Sequence, residues 1–314
     1  MSHISLEVNL GKLRLKNPII IASGILSRSL LINAIVDGAS AVTTKTLTLN
    51  PREGYPPPNL VKLPYGFINA YGWKNPGVKK FVEEDLREII SRAREFNSYV
   101  IGSAGGFSLN EYVKVASLLE EGGVDAVEID IACPTIDKVL DTSFDLKYFT
   151  DVVKNVKSVL KVPLIVKLHP SYINIGKVAK LAVDAGADII SAINTVAPAI
   201  AIDIDSGKPL LGNPKGVGGL SGPAIKPIAL AKVLEIAMEV DVPVIGIGGI
   251  TTWKDVIEMI MVGADAVGMV SAIFIHKGTS FIKNLLDGIK NFMAKKGYKS
   301  IQDFKGLTIK YISR

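Results

Sequence analysis

Cysteine is almost absent: the 314 residues hold one, Cys133. That excludes an internal disulfide framework and a cysteine-based metal cluster within the chain. Histidine is scarce too, at positions 3, 169 and 276, with no metal-ligand spacing among them. No apolar run is long enough to span a bilayer, and the N-terminus carries no signal-peptide pattern. The expectation is a cytoplasmic protein with no membrane span. Lysine and arginine are scattered, without a basic run or interleaved aromatics. The net charge of +6 therefore suits a small anionic ligand, and no nucleic acid partner is expected. Glutamine occurs once, at 302; with abundant Ile, Val and Lys, the composition leans towards a thermophilic origin.

What is present is apolar and periodic. The chain is 48% hydrophobic, enough for one large core. Short apolar runs at 19–22, 41–44, 99–101, 126–131, 163–167, 188–193, 244–247 and 266–269 read as buried parallel strands, separated by helical patterns. Three of the junctions share a pattern: Gly122-Gly-Val-Asp-Ala126, Ala185-Gly-Ala-Asp-Ile189 and Val262-Gly-Ala-Asp-Ala266. Eight strand–helix units predict an α/β fold of the (β/α)8 TIM-barrel type, one domain over 1–314. A doubly wound sheet is the alternative, but no glycine-rich dinucleotide fingerprint follows the first strand. Residues 5–16 read as a hairpin plugging the barrel bottom. Long insertions follow strands two and six. The first, 46–77, has no clean periodicity and carries prolines 51, 56, 57, 58, 64 and 76, which suits a loop covering a site. The second, 195–221, holds a hairpin turn at Asp205-Ser-Gly-Lys208. Ser108 and Glu111 have the spacing of a capping box.

Polar residues cluster where a barrel enzyme needs them, just past the carboxyl ends of strands. These are Ser23, Lys45, Asp130 with Cys133, Lys167, Asn194 with Thr195, the pair Gly248-Gly249, and Gly268. Two lysines at the ends of apolar strands need partners. They either share Asp130 or hold an anionic ligand or an electron-rich ring. Gly248-Gly249, together with Gly219-Leu-Ser-Gly222, lets backbone N–H groups approach a phosphate-bearing cofactor. Cys133 could be a small buried hydrophobe. As a reactive group it is a general base tuned by nearby lysines, or a covalent nucleophile; no histidine is paired with it in the sequence, which favours the base. The loop Phe67-Ile-Asn-Ala-Tyr-Gly-Trp73 offers an amide and aromatic rings to a small planar polar substrate.

The motifs Asn17-Pro-Ile-Ile-Ile-Ala-Ser-Gly24, Thr44-Lys-Thr-Leu-Thr48, Asn69-Ala-Tyr-Gly-Trp-Lys-Asn-Pro-Gly77, Cys133-Pro134, Val166-Lys-Leu168, Ile193-Asn-Thr195, Gly218-Gly-Leu-Ser-Gly-Pro223 and Ile247-Gly-Gly-Ile250 run in order along the chain. In that order and spacing the sequence resembles the soluble, cysteine-dependent dihydroorotate dehydrogenases, over essentially its whole length. The resemblance implies FMN on top of the barrel and oxidation of (S)-dihydroorotate to orotate in pyrimidine (UMP) synthesis. It implies catalytic roles for Cys133, as base, and Lys45, which touches flavin and substrate. It places substrate on Lys45, Asn69, Gly72, Trp73, Asp130, Thr135, Asn194 and Thr195. It places FMN on Ala22, Ser23, Lys45, Thr46, Asp130, Lys167, Ile193, Gly222, Gly248, Gly249, Gly268 and Met269, and no metal. The resemblance leaves two kinds of assembly open: a homodimer using fumarate, or a homodimer core paired with a second electron-transfer subunit carrying FAD and an iron–sulfur cluster, the kind that Arg52–Pro58 and Trp73 resemble more; this chain's single cysteine cannot hold such a cluster itself. The sequence departs from the family at Asp130-Ile-Ala-Cys-Pro-Thr135, where Asn-Leu-Ser-Cys-Pro-Asn is usual. Asp130 and Thr135 thus leave a second expectation open, an FMN-dependent oxidoreductase acting on another pyrimidine-like cyclic amide.

Overall fold

The computed structural model describes residues 4–131 and 145–312; Cys133 and Thr135 lie outside the described residues. The chain starts with an antiparallel hairpin of β1 (Val8–Leu10) and β2 (Leu13–Leu15), in which Val8 faces Leu15. Strand alternation buries Val8, Leu10, Leu13 and Leu15 and leaves Asn9 and Arg14 to solvent. The hairpin leads into β3 (Ile19–Ile21), which pairs with β4 (Ala41–Thr43). The first insertion holds β5 (Leu60–Leu63) and β6 (Gly66–Asn69). Then follow β7 (Tyr99–Ala104), β8 (Ala126–Asp130), β9 (Leu164–Leu168) and β10 (Ile189–Ala192). The second insertion holds β11 (Val196–Ala199) and β12 (Gly218–Ser221), and the chain returns through β13 (Val244–Ile247) and β14 (Ala266–Met269).

Strands β3, β4, β7, β8, β9, β10, β13 and β14 pair in parallel and close into a barrel, β14 meeting β3. The closure excludes the doubly wound alternative. The strands are apolar on both faces because helices cover the outside. The helix Leu146–Val159 shows how: Phe149, Val152, Val153 and Val156 form one buried stripe at helical spacing. The carboxylate of Asp145 caps it, accepting from the N–H groups of Lys147 and Tyr148.

The repeated Gly-x-Asp junctions have one physical role. In each, a glycine takes a left-handed φ that ends the helix: Gly123 (92°), Gly186 (111°) and Gly263 (116°). The aspartate two residues on turns its carboxylate back to an N–H at the amino end of the neighbouring barrel strand. Asp125 accepts from Val100 at 2.8 Å, Asp188 from Leu164 at 2.7 Å and Asp265 from Val244 at 3.0 Å. A base from the flanking helical elements neutralises each: Arg94, Lys157 and Lys305 respectively. The motif therefore satisfies amino-end strand donors that would otherwise be buried without partners.

Two expectations need correction. The stretch 46–77 is not all loop, and neither is 195–221. Their strands pair with each other, in the order β11-β12-β6-β5, as an antiparallel sheet. The Asp203–Pro209 segment is the expected turn, with the Gly207 N–H bonded to the Asp203 carbonyl. Ser108 caps the helix Leu109–Glu121, but Glu111 does not reciprocate to Ser108; its carboxylate accepts from the N–H of Phe107 instead. The helical segment from Val78 to Glu95 is continuous but contains a π turn at Val82–Leu86.

Candidate active site

Among the described residues, buried charge in the barrel interior gathers at β8 and β9. Glu128 and Asp130 lie two residues apart on β8 and so share a face. Asp130 is in register with Lys167 of β9. All three are buried, at 3%, 5% and 6% exposure. The Lys167 ammonium sits 3.7 Å from Glu128 Oε1, and the Ser191 hydroxyl of β10 donates to Glu128 Oε2 at 2.9 Å. Glu128 Oε1 has no hydrogen bond among the described residues. Asp130 accepts from the Asn194 amide at 3.2 and 3.4 Å. Burial pushes the Asp130 carboxyl up to about 6; Lys167 and Lys45 pull it down, Glu128 adds to the rise, and the Asn194 bond opposes it. Burial and the charge of Asp130 raise the Tyr172 hydroxyl above its ordinary range. Burial lowers His169 to about 4, against a backbone contact with Thr195, so this imidazole is neutral at pH 7.

Of the two readings of the lysines, the structure supports a mixture. Lys167 has Glu128 as its nearest acid, and both lysines act on Asp130 through their field. Lys45, half-buried just past β4, stands 5.5 Å from the centre of the Tyr71 ring. Beside it the hydroxyls of Ser23, Thr46 and Ser103 form a chain with 3.1 Å steps.

The antiparallel sheet made by the insertions lies over these groups and brings the substrate loop to them. Asn69, at the end of β6, is opposite Gly219 of β12. Glycine is required there by close approach: a Cβ on Gly219 would stand 2.1 Å from Thr195 Oγ1. The loop beyond β6 is held by Asn75, whose amide donates to the Trp73 carbonyl and the Thr48 hydroxyl and accepts from the N–H of Thr48 and Gly77. Those four bonds hold Trp73 at a φ of 55°, a conformation that costs a bulky residue energy. Trp73 is thereby buried edge-on against Phe107, with ring centres 5.7 Å apart.

These parts enclose one cleft of about 1100 Å³, counting its open mouth. Every described residue expected to bind substrate or cofactor lines it: Ala22, Ser23, Lys45, Thr46, Asn69, Gly72, Trp73, Asp130, Lys167, Ile193, Asn194, Thr195, Gly222, Gly248, Gly249, Gly268 and Met269. The short helix Ser271–Ile275 follows β14, with Val270 and Ser271 on the cleft wall. The residues fit a phosphate-bearing ring cofactor. Gly248 and Gly249 have φ of 136° and 71°, and a Cβ on Gly249 would press on the Lys226 backbone, 2.7 Å away. This backbone-lined wall shares the cleft with the buried ammonium of Lys167. Glu128 and Ser191 were not expected from the sequence. The signal for Glu128 was its two-residue spacing from Asp130. Phe67 and Tyr71, rings of the expected substrate loop, also line the cleft, as does Phe274, which the sequence did not single out.

A closed (β/α)8 barrel with amine, carboxyl and amide groups gathered at the carboxyl ends of its strands is an enzyme architecture. The dihydroorotate dehydrogenase family matches residues 5–293. The chain is 41% identical, over 97% of its length and 99% of the relative's, to dihydroorotate dehydrogenase B (NAD(+)), catalytic subunit, of Pyrococcus abyssi. It is 40% identical over 98% of its length to the protein of the same name from Pyrococcus furiosus, covering all of that protein. The match to the one from Thermoanaerobacter pseudethanolicus is 37%, over 96% of this chain and 98% of the relative. The chain belongs to the dihydroorotate dehydrogenase family. Among the described residues, no helix is long and apolar enough to cross a membrane.

Proposed function

We propose that this site oxidises (S)-dihydroorotate to orotate with FMN bound in the cleft, the redox step of pyrimidine (UMP) synthesis. The observation that carries the reading is the convergence of Lys45, Asn69, Lys167 and Asn194 on one cleft from four separate segments. When bound, FMN supplies the hydride acceptor. The chain's own residues do the rest. Lys45 holds the substrate's negative end, and Asn69, Asn194 and Thr195 hydrogen-bond its ring and carboxylate. Asp130 and Thr135 complete the substrate set, with Gly72 and Trp73 closing the loop above. Lys167, backed by Glu128, places positive charge where a ring gains electrons. The backbone at Gly222, Gly248, Gly249, Gly268 and Met269 holds the phosphate, while Ala22, Ser23, Thr46 and Ile193 pack the cofactor. Cys133 takes the substrate proton as the hydride leaves.

The relatives' name, catalytic subunit of a B-type NAD(+) enzyme, supports a further subunit and NAD as acceptor; the assembly proposed on that footing is a cytoplasmic homodimer of single barrel domains, 1–314, delivering electrons to a second subunit with FAD and an iron–sulfur cluster. Co-purification with that subunit and NAD reduction by the complex, but not by the barrel alone, is the expected result.

The direct test is anaerobic mixing of FMN-loaded protein with dihydroorotate, followed in the visible flavin band. Rapid bleaching is expected. A band that persists with dihydroorotate but bleaches with another cyclic amide would move the assignment to that substrate, the reading Asp130 favours. Cys133→Ala is expected to keep its flavin and lose about 10²–10⁴-fold in the rate of bleaching; an unchanged rate at neutral pH would remove Cys133 from the base role.

A further inference from the structure

We infer that Asp130 enters the ligand complex as a neutral carboxyl, so that an anionic ligand binds in the cleft together with one proton. The inference rests on the dihydroorotate reading for the nature of the ligand, a ring bearing a carboxylate, and on the barrel interior for the proton.

Among the described residues, the groups around Asp130 come from every neighbouring element. Glu128 is on its own strand, Lys167 is on β9, and Lys45 follows β4. Tyr172 approaches from the loop after β9, and Asn194 from the loop after β10. The Tyr112 hydroxyl, from the helix Leu109–Glu121, donates to the Asp130 carbonyl at 3.1 Å. His169, the residue just past β9, is neutral. Two carboxylates thus face two ammonium groups, and the interior is balanced only while no ligand is present. A ligand carboxylate beside Lys45 is a third negative charge next to the buried acids on the cleft floor, where like charges repel more strongly than in water.

One acid must then take a proton, and geometry selects Asp130. Glu128 lies one pleat deeper and is fixed by Lys167 and Ser191. Asp130 lines the cleft, and among the described residues its carboxyl is hydrogen-bonded by the Asn194 amide. Burial has already brought its carboxyl up to about 6, so its proton is within easy reach at neutral pH. A neutral carboxyl also gains an O–H donor, which an ionised one lacks, and can offer it to a ligand oxygen.

The consequence is a pH-dependent affinity. Below about pH 6 the proton is already in place and affinity is flat. Above that, each ligand must bring its proton, and affinity falls about tenfold per pH unit until the carboxyl of the complex itself ionises.

The test uses FMN-loaded protein titrated with orotate between about pH 5 and pH 8, read by the shift in the flavin spectrum. Parallel calorimetry in buffers of different ionisation heat counts protons. The wild type is expected to show the tenfold-per-unit loss and an uptake approaching one proton. Asp130→Asn, which carries a donor with no proton to gain, is expected to bind with flat pH dependence and no uptake. Equal slopes in the two proteins, or a wild type that binds without proton uptake, overturns the inference while leaving the dihydroorotate reading intact. If Asp130→Asn does not fold, the wild-type proton count decides alone. If orotate shifts the spectrum at no pH, the dihydroorotate reading falls and the inference falls with it.

Discussion

In the barrel, each strand pairs in parallel with the strand of another βα unit and is buried on both faces, as in the wholly buried β8 and β9. In the β11-β12-β6-β5 sheet, strands from two insertions pair antiparallel, and its outer strands β5 and β11 are only half-buried. Asn69 and Gly219, which meet there, are 150 positions apart. The barrel therefore carries the bulk of the burial that stabilises the fold. The overlying sheet carries little of it, and positions Asn69 and Thr195 over a charged floor that the barrel provides. The two regions should separate under mutation: barrel changes should act on stability, sheet changes on ligand affinity.

The largest expected effect combines both. Lys167→Met leaves two buried acids without their nearest ammonium and is expected to cost roughly 3–5 kcal/mol, with loss of turnover. Thermal melting and flavin reduction measure the two losses; a variant as stable as wild type would show that the floor is held by something other than this charge pair. Phe149→Ala, which empties a fully buried site on the outer face of the barrel, is expected to cost about 3–5 kcal/mol as well. Its rate constants should be unchanged, and a change in KM alone would break the separation.

Asp130→Asn sharpens the comparison through pH. The folded carboxyl titrates near 6, above its ordinary 3.8, so its contribution is fully present below the ordinary value and is lost as pH rises through the folded one. At neutral pH the ionised group opposes folding by roughly 2–3 kcal/mol. The variant is expected to be more stable than wild type by about that amount at pH 8, with the gain vanishing near pH 4. Denaturant unfolding at the two pH values checks it. The smallest effect on stability is expected in the upper sheet. Asn69→Ala should raise KM for dihydroorotate about tenfold, equivalent to about 1.4 kcal/mol, with a melting temperature close to that of wild type. A large fall in melting temperature would show that the sheet does support the barrel.

The barrel was legible in the sequence because its signals are local. Eight apolar runs, the Gly-x-Asp turns and the polar residue after each strand all depend on neighbours within a few positions. Most of the cleft lining followed, since carboxyl ends of barrel strands converge by topology. The insertions were not legible as strands. β5 and β6 carry no long alternation, and β12 is glycine-rich, so their pairing has no local signature. Glu111 shows the same limit on a smaller scale, because its spacing from Ser108 permits a capping box yet the chain offers it the N–H of Phe107 instead.

By itself the sequence determined the barrel, its order of strands and the end at which chemistry gathers, because burial periodicity and turn chemistry are properties of short segments. Only the tertiary structure decided that two distant insertions form one sheet over the cleft, that Glu128 and Ser191 back Lys167, and that burial raises the Asp130 carboxyl well above its ordinary range. Those outcomes depend on charge and hydrogen bonds brought together from β4, β8, β9 and β10, whose combined field in a water-poor interior cannot be read from any one of them.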